Sequence, residues 1–210
     1  MNKPLIIIGA GDHAKVLLDT LLEQNENVIG LTDKSVSKGT VIYGVHVIGD
    51  DEEVFQYKPE EIELVNGIGS IKTTSLRERI FKNFKNKGYT FKTIIHSSAV
   101  VSKRAKIYEG SQILAGVIIN TEAEIGVNTI INTKVSIDHG CIIGNNCHIA
   151  PGCVLSGCVK VGSNTHIGTG SSIIQGITIG ENVLIGAGSV VIKNIPDGVT
   201  AFGVPAKIKQ

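Results

Sequence analysis

The sequence predicts a small αβ domain followed by a parallel β-helix, and three observations support this fold class. The 210 residues include 25 glycines but only 5 phenylalanines, 4 tyrosines and no tryptophan, so the core must consist of small and β-branched side chains. Aliphatic residues recur every six positions through the second part of the chain. The first part instead shows the succession of strand, glycine-rich turn and helix that is typical of αβ domains.

Charge and hydropathy exclude several classes of protein. The formal net charge is only +1, so the chain has neither a basic field for nucleic acid nor an acidic tail. A hydrophobic content of 42% argues against disorder. Apolar runs are far shorter than the roughly 18 residues of a membrane helix, and the first residues lack the pattern of a signal peptide. We therefore expect a cytoplasmic protein without disulfides among its four cysteines.

The density of charge marks a domain boundary. Residues 1–98 contain 12 basic and 13 acidic side chains, whereas residues 99–210 contain only 8 and 6. This change predicts one domain over residues 1–96 and a second over residues 97–210.

The second domain has a strict period of six. Sixteen successive positions at this spacing are aliphatic: Val101, Ile107, Ile113, Ile119, Ile125, Ile131, Ile137, Ile143, Ile149, Leu155, Val161, Ile167, Ile173, Ile179, Ile185 and Val191. Uncharged, mostly small residues stand two positions before each of them. Because neither a helix nor an alternating strand has this period, it indicates a hexapeptide β-helix with three faces and eighteen residues per coil.

Two further features follow from this repeat. We expect Gly126, Gly144, Gly162 and Gly180 to lie at corners, where a positive φ favours glycine. Cys141, Cys147 and Cys153 would lie on three successive faces, too dispersed to bind one metal ion, so we expect core side chains and no metal site. Cys158 lies outside this pattern, and the sequence assigns it no role.

The first domain begins with a phosphate-binding arrangement. Leu5–Ile8 is a predicted buried strand, residues 9–14 read Gly-Ala-Gly-Asp-His-Ala, and residues 15–22 have helical spacing. Such a turn places backbone amides and a helix N-terminus opposite an anion, although a tight turn that binds nothing has the same pattern. Further strands are predicted at Val28–Asp33 and Ile62–Asn66, and a helix at Ser75–Asn86. About 95 residues hold only half of a dinucleotide fold, so a mononucleotide or nucleotide sugar fits better than NAD.

The two parts together resemble the PglD/NeuD family of bacterial sugar acyltransferases. The resemblance rests on the N-terminal turn, on the hexapeptide repeat and on residues 203–207, Gly-Val-Pro-Ala-Lys, and it spans essentially the whole chain. It implies a left-handed β-helix, acetyl-CoA as co-substrate, no metal, and a homotrimer with sites between neighbouring β-helices.

The resemblance also implies site residues. His139 matches the family's catalytic histidine, and an imidazole is suited to accept the proton of an attacking amine. Relatives can carry an acid directly after this histidine, but here that residue is Gly140, which leaves Asp138 as the local acid. A surface histidine without catalytic role is the alternative for His139. The implied acetyl-CoA contacts are His148, Thr169 and Ala187. The coil period adds Gly157, one coil beyond His139, and His166, one coil beyond His148, with a stacked surface residue as the alternative for His166. The implied nucleotide-sugar contacts are Gly11, Asp12, His13, Asp33, Lys34 and Gly69.

These features lead to one expected function and two alternatives. We expect an acetyl-CoA-dependent N-acetyltransferase that acts on the 4-amino group of a nucleotide-linked 4-amino-4,6-dideoxysugar, in which the nucleotide is UDP, dTDP or GDP. The alternatives are a sialic acid O-acetyltransferase and a non-catalytic β-helix scaffold. The amine is expected to attack the thioester directly, because the sequence offers no Ser-His-Asp set.

Overall fold

A computed structural model describes residues 3–71 and 73–209 and divides the chain into two compact units. One unit comprises the chain up to Gly69 together with Arg79–Lys92. The other comprises Ser70–Glu78 and the chain from Thr93 onwards. None of the described helices is long and apolar enough to cross a membrane.

The first unit is built on a five-stranded sheet. Its elements are strand β1 (Leu5–Ile8), helix α1 (Asp12–Glu23), strands β2 (Val28–Thr32), β3 (Val41–Ile42) and β4 (Val45–Gly49), a 3₁₀ helix (Asp51–Gln56) and strand β5 (Glu63–Asn66). Strand β1 lies between β2 and β5 and pairs in parallel with both, and β3 and β4 form an antiparallel hairpin at the other edge. The two-residue strand β3, the hairpin and the 3₁₀ helix were not predicted from the sequence.

The predicted elements of this unit are present with small shifts at their ends. All four residues of β1 are buried, and the helix predicted over residues 15–22 is α1, which begins at Asp12 and buries Leu17, Leu18 and Leu21. Helix α2 (Ser75–Asn86) has the predicted bounds.

The second unit is a parallel β-helix with three sheets. The first face consists of β7 (Val100–Val101), β10 (Ile118–Ile119), β13 (Ser136–Ile137), β16 (Val154–Leu155), β19 (Ser172–Ile173) and β22 (Val190–Val191). The second face consists of β8 (Lys106–Ile107), β11 (Glu124–Ile125), β14 (Ile142–Ile143), β17 (Lys160–Val161) and β20 (Thr178–Ile179). The third face consists of β6 (Ile94–Ile95), β9 (Gln112–Ile113), β12 (Ile130–Ile131), β15 (His148–Ile149), β18 (His166–Ile167), β21 (Leu184–Ile185), β23 (Thr200–Phe202) and β24 (Lys207–Ile208).

The predicted coil of eighteen residues is confirmed by the strand pairing. Ile119 pairs with Ile137, and Ile137 pairs with Leu155, in parallel and without a shift of register. The aliphatic residues of the repeat form one buried core from Ile113 to Val191. Because each strand bonds to the coils before and after it, a side chain at one corner stacks on the residues eighteen positions away.

The explanation predicted for the corner glycines is wrong. Gly126, Gly144, Gly162 and Gly180 do lie at corners, but none of them has a positive φ. They are small because the coils approach closely: a Cβ on Gly126 would lie 2.6 Å from the carbonyl carbon of Gly144. The left-handed residues are the asparagines two positions later, with φ values between 54° and 60°: Asn128, Asn146, Asn164 and Asn182.

The two units differ from the predicted domains, 1–96 and 97–210, at two places. Strand β6 precedes residue 97 but already pairs with β9 as the first rung of the β-helix. Residues 70–78 group with the β-helix as well. Here the fully buried Arg77 donates from Nε to the carbonyl oxygen of Asn128 over 3.0 Å. The composition around Arg77 does not reveal this contact, because Arg77 packs against a coil that is remote in the sequence.

Candidate active site

His139 lies in the turn that follows β13, at the corner between the first and second faces. Its ring Nδ1 is 3.0 Å from Oδ1 of Asp138, and the two side chains are 51% and 43% exposed. The same Asp138 oxygen accepts the backbone amide of His139 over 2.7 Å. Asp138 lies just past the strand end, so the two adjacent side chains do not point to opposite sides as they would within a strand. The turn therefore brings the acid and the histidine together.

The hydrogen bonds of Asp138 define which nitrogen of His139 is free. The amide and the ring of His139, in that order, are the main causes that lower the pKa of Asp138. An ionised carboxylate can only accept, so the neutral imidazole carries its proton on Nδ1. Nε2 then keeps its lone pair, as a general base requires.

Gly157 lies one coil beyond His139, at the same corner. A Cβ at this position would lie 2.5 Å from Cε1 and 2.6 Å from Nε2 of His139, so the imidazole rests directly on the glycine. No acceptor for the amide of Gly157 lies among residues 3–71 and 73–209. The free base and a free backbone donor therefore lie side by side.

The residue before Gly157 explains why its amide is free. At other corners the preceding side chain accepts the amide: Oδ1 of Asn120 accepts from Thr121 and Oδ1 of Asp138 accepts from His139. The residue before Gly157 is Ser156, and within the described chain its hydroxyl forms no such bond.

His148 and His166 lie on the third face, away from the His139 corner. Their rings lie one coil apart and meet edge to face, with centroids separated by 4.9 Å. His148 is buried, and its Nδ1 lies 2.6 Å from the hydroxyl of Ser70 while its Nε2 lies 3.0 Å from the amide nitrogen of Asn132. Both nitrogens of His148 thus have partners within this unit, and its predicted contact with acetyl-CoA stays a prediction.

His166 has a different environment from His148. Burial lowers the pKa of His166, and its Nδ1 is buried without a hydrogen-bond partner in the described part of the chain. The predicted contact of His166 with acetyl-CoA and its alternative, a stacked surface residue, both stay predictions.

Thr169 and Ala187 lie at the corner between the third and first faces. Both are exposed and one coil apart, and the amide of Gly188 donates to the carbonyl of Thr169 over 2.8 Å. A single β-helix therefore places these two residues and His139 at the two corners that bound the first face.

The predicted nucleotide-sugar residues lie around the N-terminal turn of the first unit. The amide of Ala10 donates to one oxygen of Asp33 over 3.0 Å, and that of Ser35 donates to the other over 2.7 Å. A Cβ on Gly69 would lie 3.1 Å from Cβ of His13, so these two residues are neighbours.

The charged residues at this turn are exposed. Asp12 is 99% exposed and pairs with Lys15 over 3.0 Å. In the predicted phosphate-binding arrangement the backbone amides of the turn, rather than this carboxylate, would meet an anion. Gly11 is the N-cap of α1 and Lys34 is exposed beside Asp33.

The cysteines belong to the core, with one exception. Cys141, Cys147 and Cys153 are buried, and each sulfur lies 3.1–3.2 Å from a backbone carbonyl oxygen of the next coil. Burial raises the pKa of Cys147 to about 12 and that of Cys153 to about 11. Cys158 is exposed, with a φ of 59°. In residues 3–71 and 73–209 no group of three potential ligands is placed to hold a metal ion.

Sequence reasoning missed the neighbours of these site residues. Asn120 donates to Asp138 over 3.1 Å, and Ser70 and Asn132 hold His148. Asn120 lies eighteen residues before Asp138, so the coil period alone was sufficient to place the two side chains together. No comparable signal in the sequence links Ser70 to His148.

A three-faced β-helix with an exposed histidine oriented by a carboxylate at one corner defines a hexapeptide-repeat transferase. Two family models match the chain in agreement with this architecture. The PglD N-terminal domain matches residues 4–84, and the bacterial transferase hexapeptide model of six repeats matches residues 122–157 and 158–193. No curated protein sequence matches the chain.

Solved structures show the similarity over the full length. PerB from Caulobacter crescentus, in complex with CoA and GDP-perosamine, is 38% identical, with a TM-score of 0.91 and coverage of 99% of this chain and 97% of that one. A variant of perosamine N-acetyltransferase from the same organism, with the same two ligands, is 37% identical with a TM-score of 0.92 and the same coverage. The acetyltransferase domain of PglB from Neisseria gonorrhoeae, in complex with acetyl coenzyme A, is 32% identical with a TM-score of 0.92 and covers all of both chains. The chain belongs to the PglD/NeuD family of left-handed β-helix acetyltransferases.

Proposed function

We propose that the protein is an acetyl-CoA-dependent N-acetyltransferase that acts on the 4-amino group of a nucleotide-linked 4-amino-4,6-dideoxysugar. The observation that supports this most strongly is the corner at His139, where a ring nitrogen with a free lone pair lies on a glycine whose amide is also free. The full-length similarity to a sugar N-acetyltransferase supports the same reaction.

The groups at this corner fit direct transfer of an acetyl group. Acetyl-CoA would supply the acetyl group as a thioester. In this proposal Nε2 of His139 accepts the proton that the sugar amine loses as it attacks, and Asp138 stabilises the imidazolium that forms. The amide of Gly157 would donate to the thioester oxygen, on which negative charge develops. When the tetrahedral adduct collapses, the C–S bond breaks and the CoA thiolate takes the proton from the imidazolium, so that CoA leaves as the free thiol. Burial raises the pKa values of Cys147 and Cys153, so neither thiol is suited to act as a nucleophile, and in this proposal the amine attacks the thioester directly.

The first unit would hold the nucleotide sugar. In this proposal the amides of the turn at Gly11 and His13 bind the phosphates, and Asp33, Lys34 and Gly69 line the rest of the nucleotide site. The carboxylate of Asp33 already fixes the turn through Ala10 and Ser35. We also propose a cytoplasmic location, since nucleotide sugars and acetyl-CoA are cytoplasmic metabolites and the four cysteines are unpaired.

A panel of substrates tests this function. Purified protein with acetyl-CoA is offered 4-amino-4,6-dideoxysugars linked to GDP, UDP or dTDP, and sialic acid, while release of the CoA thiol is followed. PerB was crystallised with GDP-perosamine, so the GDP-linked sugar is the first to test. We expect release with one nucleotide sugar, and a rise in melting temperature with the matching free nucleotide. Release with sialic acid alone would show an O-acetyltransferase, and release with none would leave a scaffold.

We also propose a homotrimer, because the first face is apolar and exposed. Its outward residues include Val100, Ile118 and Val154, which are between 45% and 65% exposed, whereas the outward row of the second face includes Lys106 and Lys160. A closed threefold ring could cover this face and bring the Thr169 corner of one chain to the His139 corner of its neighbour.

Light scattering tests the trimer directly. Wild-type protein should have three times the 22.2 kDa mass of the chain. Ile118→Arg should lower this mass and the activity together, because it places a charge in the apolar face. Ile142→Arg is the matched control, since Ile142 is also 45% exposed but lies on the second face. A stable, active wild-type monomer would contradict the proposal.

A further inference from the structure

Asn120 lies one coil before Asp138, at the same corner of the β-helix. Its Nδ2 donates to Oδ1 of Asp138 over 3.1 Å. This is the oxygen that also accepts the amide and the ring Nδ1 of His139. One carboxylate oxygen therefore receives three donors, two from His139 and one from Asn120.

The orientation of the Asn120 side chain is fixed at its other end. Its Oδ1 accepts the amide of Thr121 over 3.3 Å, so the carbonyl faces the backbone and the NH₂ group faces Asp138. The exposed carboxylate of Asp138 would otherwise rotate about its side-chain bonds and lose the ring of His139. The bond from Asn120 restricts that rotation.

We infer that Asn120 is a positioning residue for the general base: it holds the Asp138 carboxylate, which in turn fixes the tautomer and the orientation of His139. This inference rests on the proposed function, because it assigns the base role to His139. It also explains how the site dispenses with an acid at position 140, since Asp138 is held from the preceding coil instead.

The other groups around this corner do not replace Asn120. Gly157, from the following coil, presents only backbone to the ring. Cys158 donates its amide to the carbonyl of His139 over 2.8 Å, and the buried Cys141 donates its thiol to the carbonyl of Ser156. The described contacts of the Asp138 carboxylate thus come from His139 and Asn120.

Two variants separate positioning from a merely structural role. Asn120→Asp keeps an oxygen for the amide of Thr121 but replaces the donor to Asp138 with a second carboxylate. Asn120→Ala removes both bonds. Asn145→Ala is the control: Asn145 is also an exposed corner asparagine, and it accepts the amide of Val127 at a corner remote from His139.

The readout is the ¹⁵N spectrum of the His139 ring in the free protein at a pH where the ring is neutral. We expect wild-type protein and Asn145→Ala to carry the proton on Nδ1, and both Asn120 variants to show mixed tautomers. In turnover assays the Asn120 variants should lose about tenfold in kcat, a fraction of the contribution of the base, with KM for acetyl-CoA unchanged.

The outcomes distinguish this inference from the proposed function. If both Asn120 variants retain the wild-type tautomer and kcat, the positioning role is wrong. If only the alanine variant changes, Asn120 acts through Thr121 as a structural cap and the inference is also wrong. The ¹⁵N measurement needs no substrate, so it tests the positioning role even if no substrate of the panel is acetylated. Mixed tautomers in the Asn120 variants of a protein that acetylates none of these substrates would overturn the proposed function but not the positioning role.

Discussion

Replacing His139 with alanine is expected to lower kcat by roughly 10² to 10⁴, the usual contribution of a positioned general base. The ring is half exposed and its hydrogen bond within the described residues is to the neighbouring Asp138, so its loss removes no core contact. The melting temperature should therefore stay close to that of the wild-type protein.

Steady-state release of thiol from acetyl-CoA, measured at saturating sugar nucleotide, checks this result. His46→Ala is a suitable control, because His46 is an exposed residue of the β4 strand in the first unit. A folded His139→Ala protein that kept more than about a tenth of the wild-type kcat would show that another group, or water, takes the proton.

The fold was predictable because the same six-residue pattern of buried aliphatic residues recurs along the whole β-helix. A single buried residue such as Ile137 carries little information, but the sixteen positions of its series share one period, and the pairing of β10, β13 and β16 follows from that period. The reason for the corner glycines was not predictable in the same way. Whether Gly126 is needed for its φ or for its size depends on how closely Gly144 of the next coil approaches.

The candidate site was only partly predictable for a related reason. The sequence identified His139 and left Asp138 as the local acid, but within a strand two adjacent side chains would point apart. The strand in fact ends at Ile137, and the turn allows the 3.0 Å contact. The contact of His148 with Ser70 could not be predicted from the sequence, because Ser70 belongs to a segment 78 residues away.

At the candidate site the ring of His139 packs directly against Gly157, and this contact predicts the second large effect. Gly157→Val is expected to lower kcat by about 10² or more and to weaken acetyl-CoA binding in the same variant. The added Cβ would lie 2.5 Å from Cε1 of His139, closer than any real contact, so the imidazole must leave its place beside Asp138. The valine methyl groups would also occupy the space assigned to the thioester.

The fold should tolerate this change. Gly157 does not have a positive φ, so a side chain causes no backbone strain, and the atoms in its way are the exposed end of the His139 side chain. Circular dichroism and the melting temperature would verify that the variant is folded. Isothermal titration with acetyl-CoA and the thiol-release assay then measure the two losses.

Two further variants separate the two roles of Gly157, which leaves room for the His139 ring and the thioester and offers its backbone amide as a donor. Gly157→Ala displaces the ring but adds no bulk beyond Cβ, so it should reduce kcat more than acetyl-CoA affinity. Ser156→Asn leaves the ring in place and offers an oxygen to the Gly157 amide, as Asn120 does to Thr121. It should lower kcat by about 10² through loss of the oxyanion donor, whereas Ser156→Ala should be nearly neutral. A folded Gly157→Val protein with wild-type kcat and acetyl-CoA affinity would show that the acetyl group is transferred elsewhere on the β-helix.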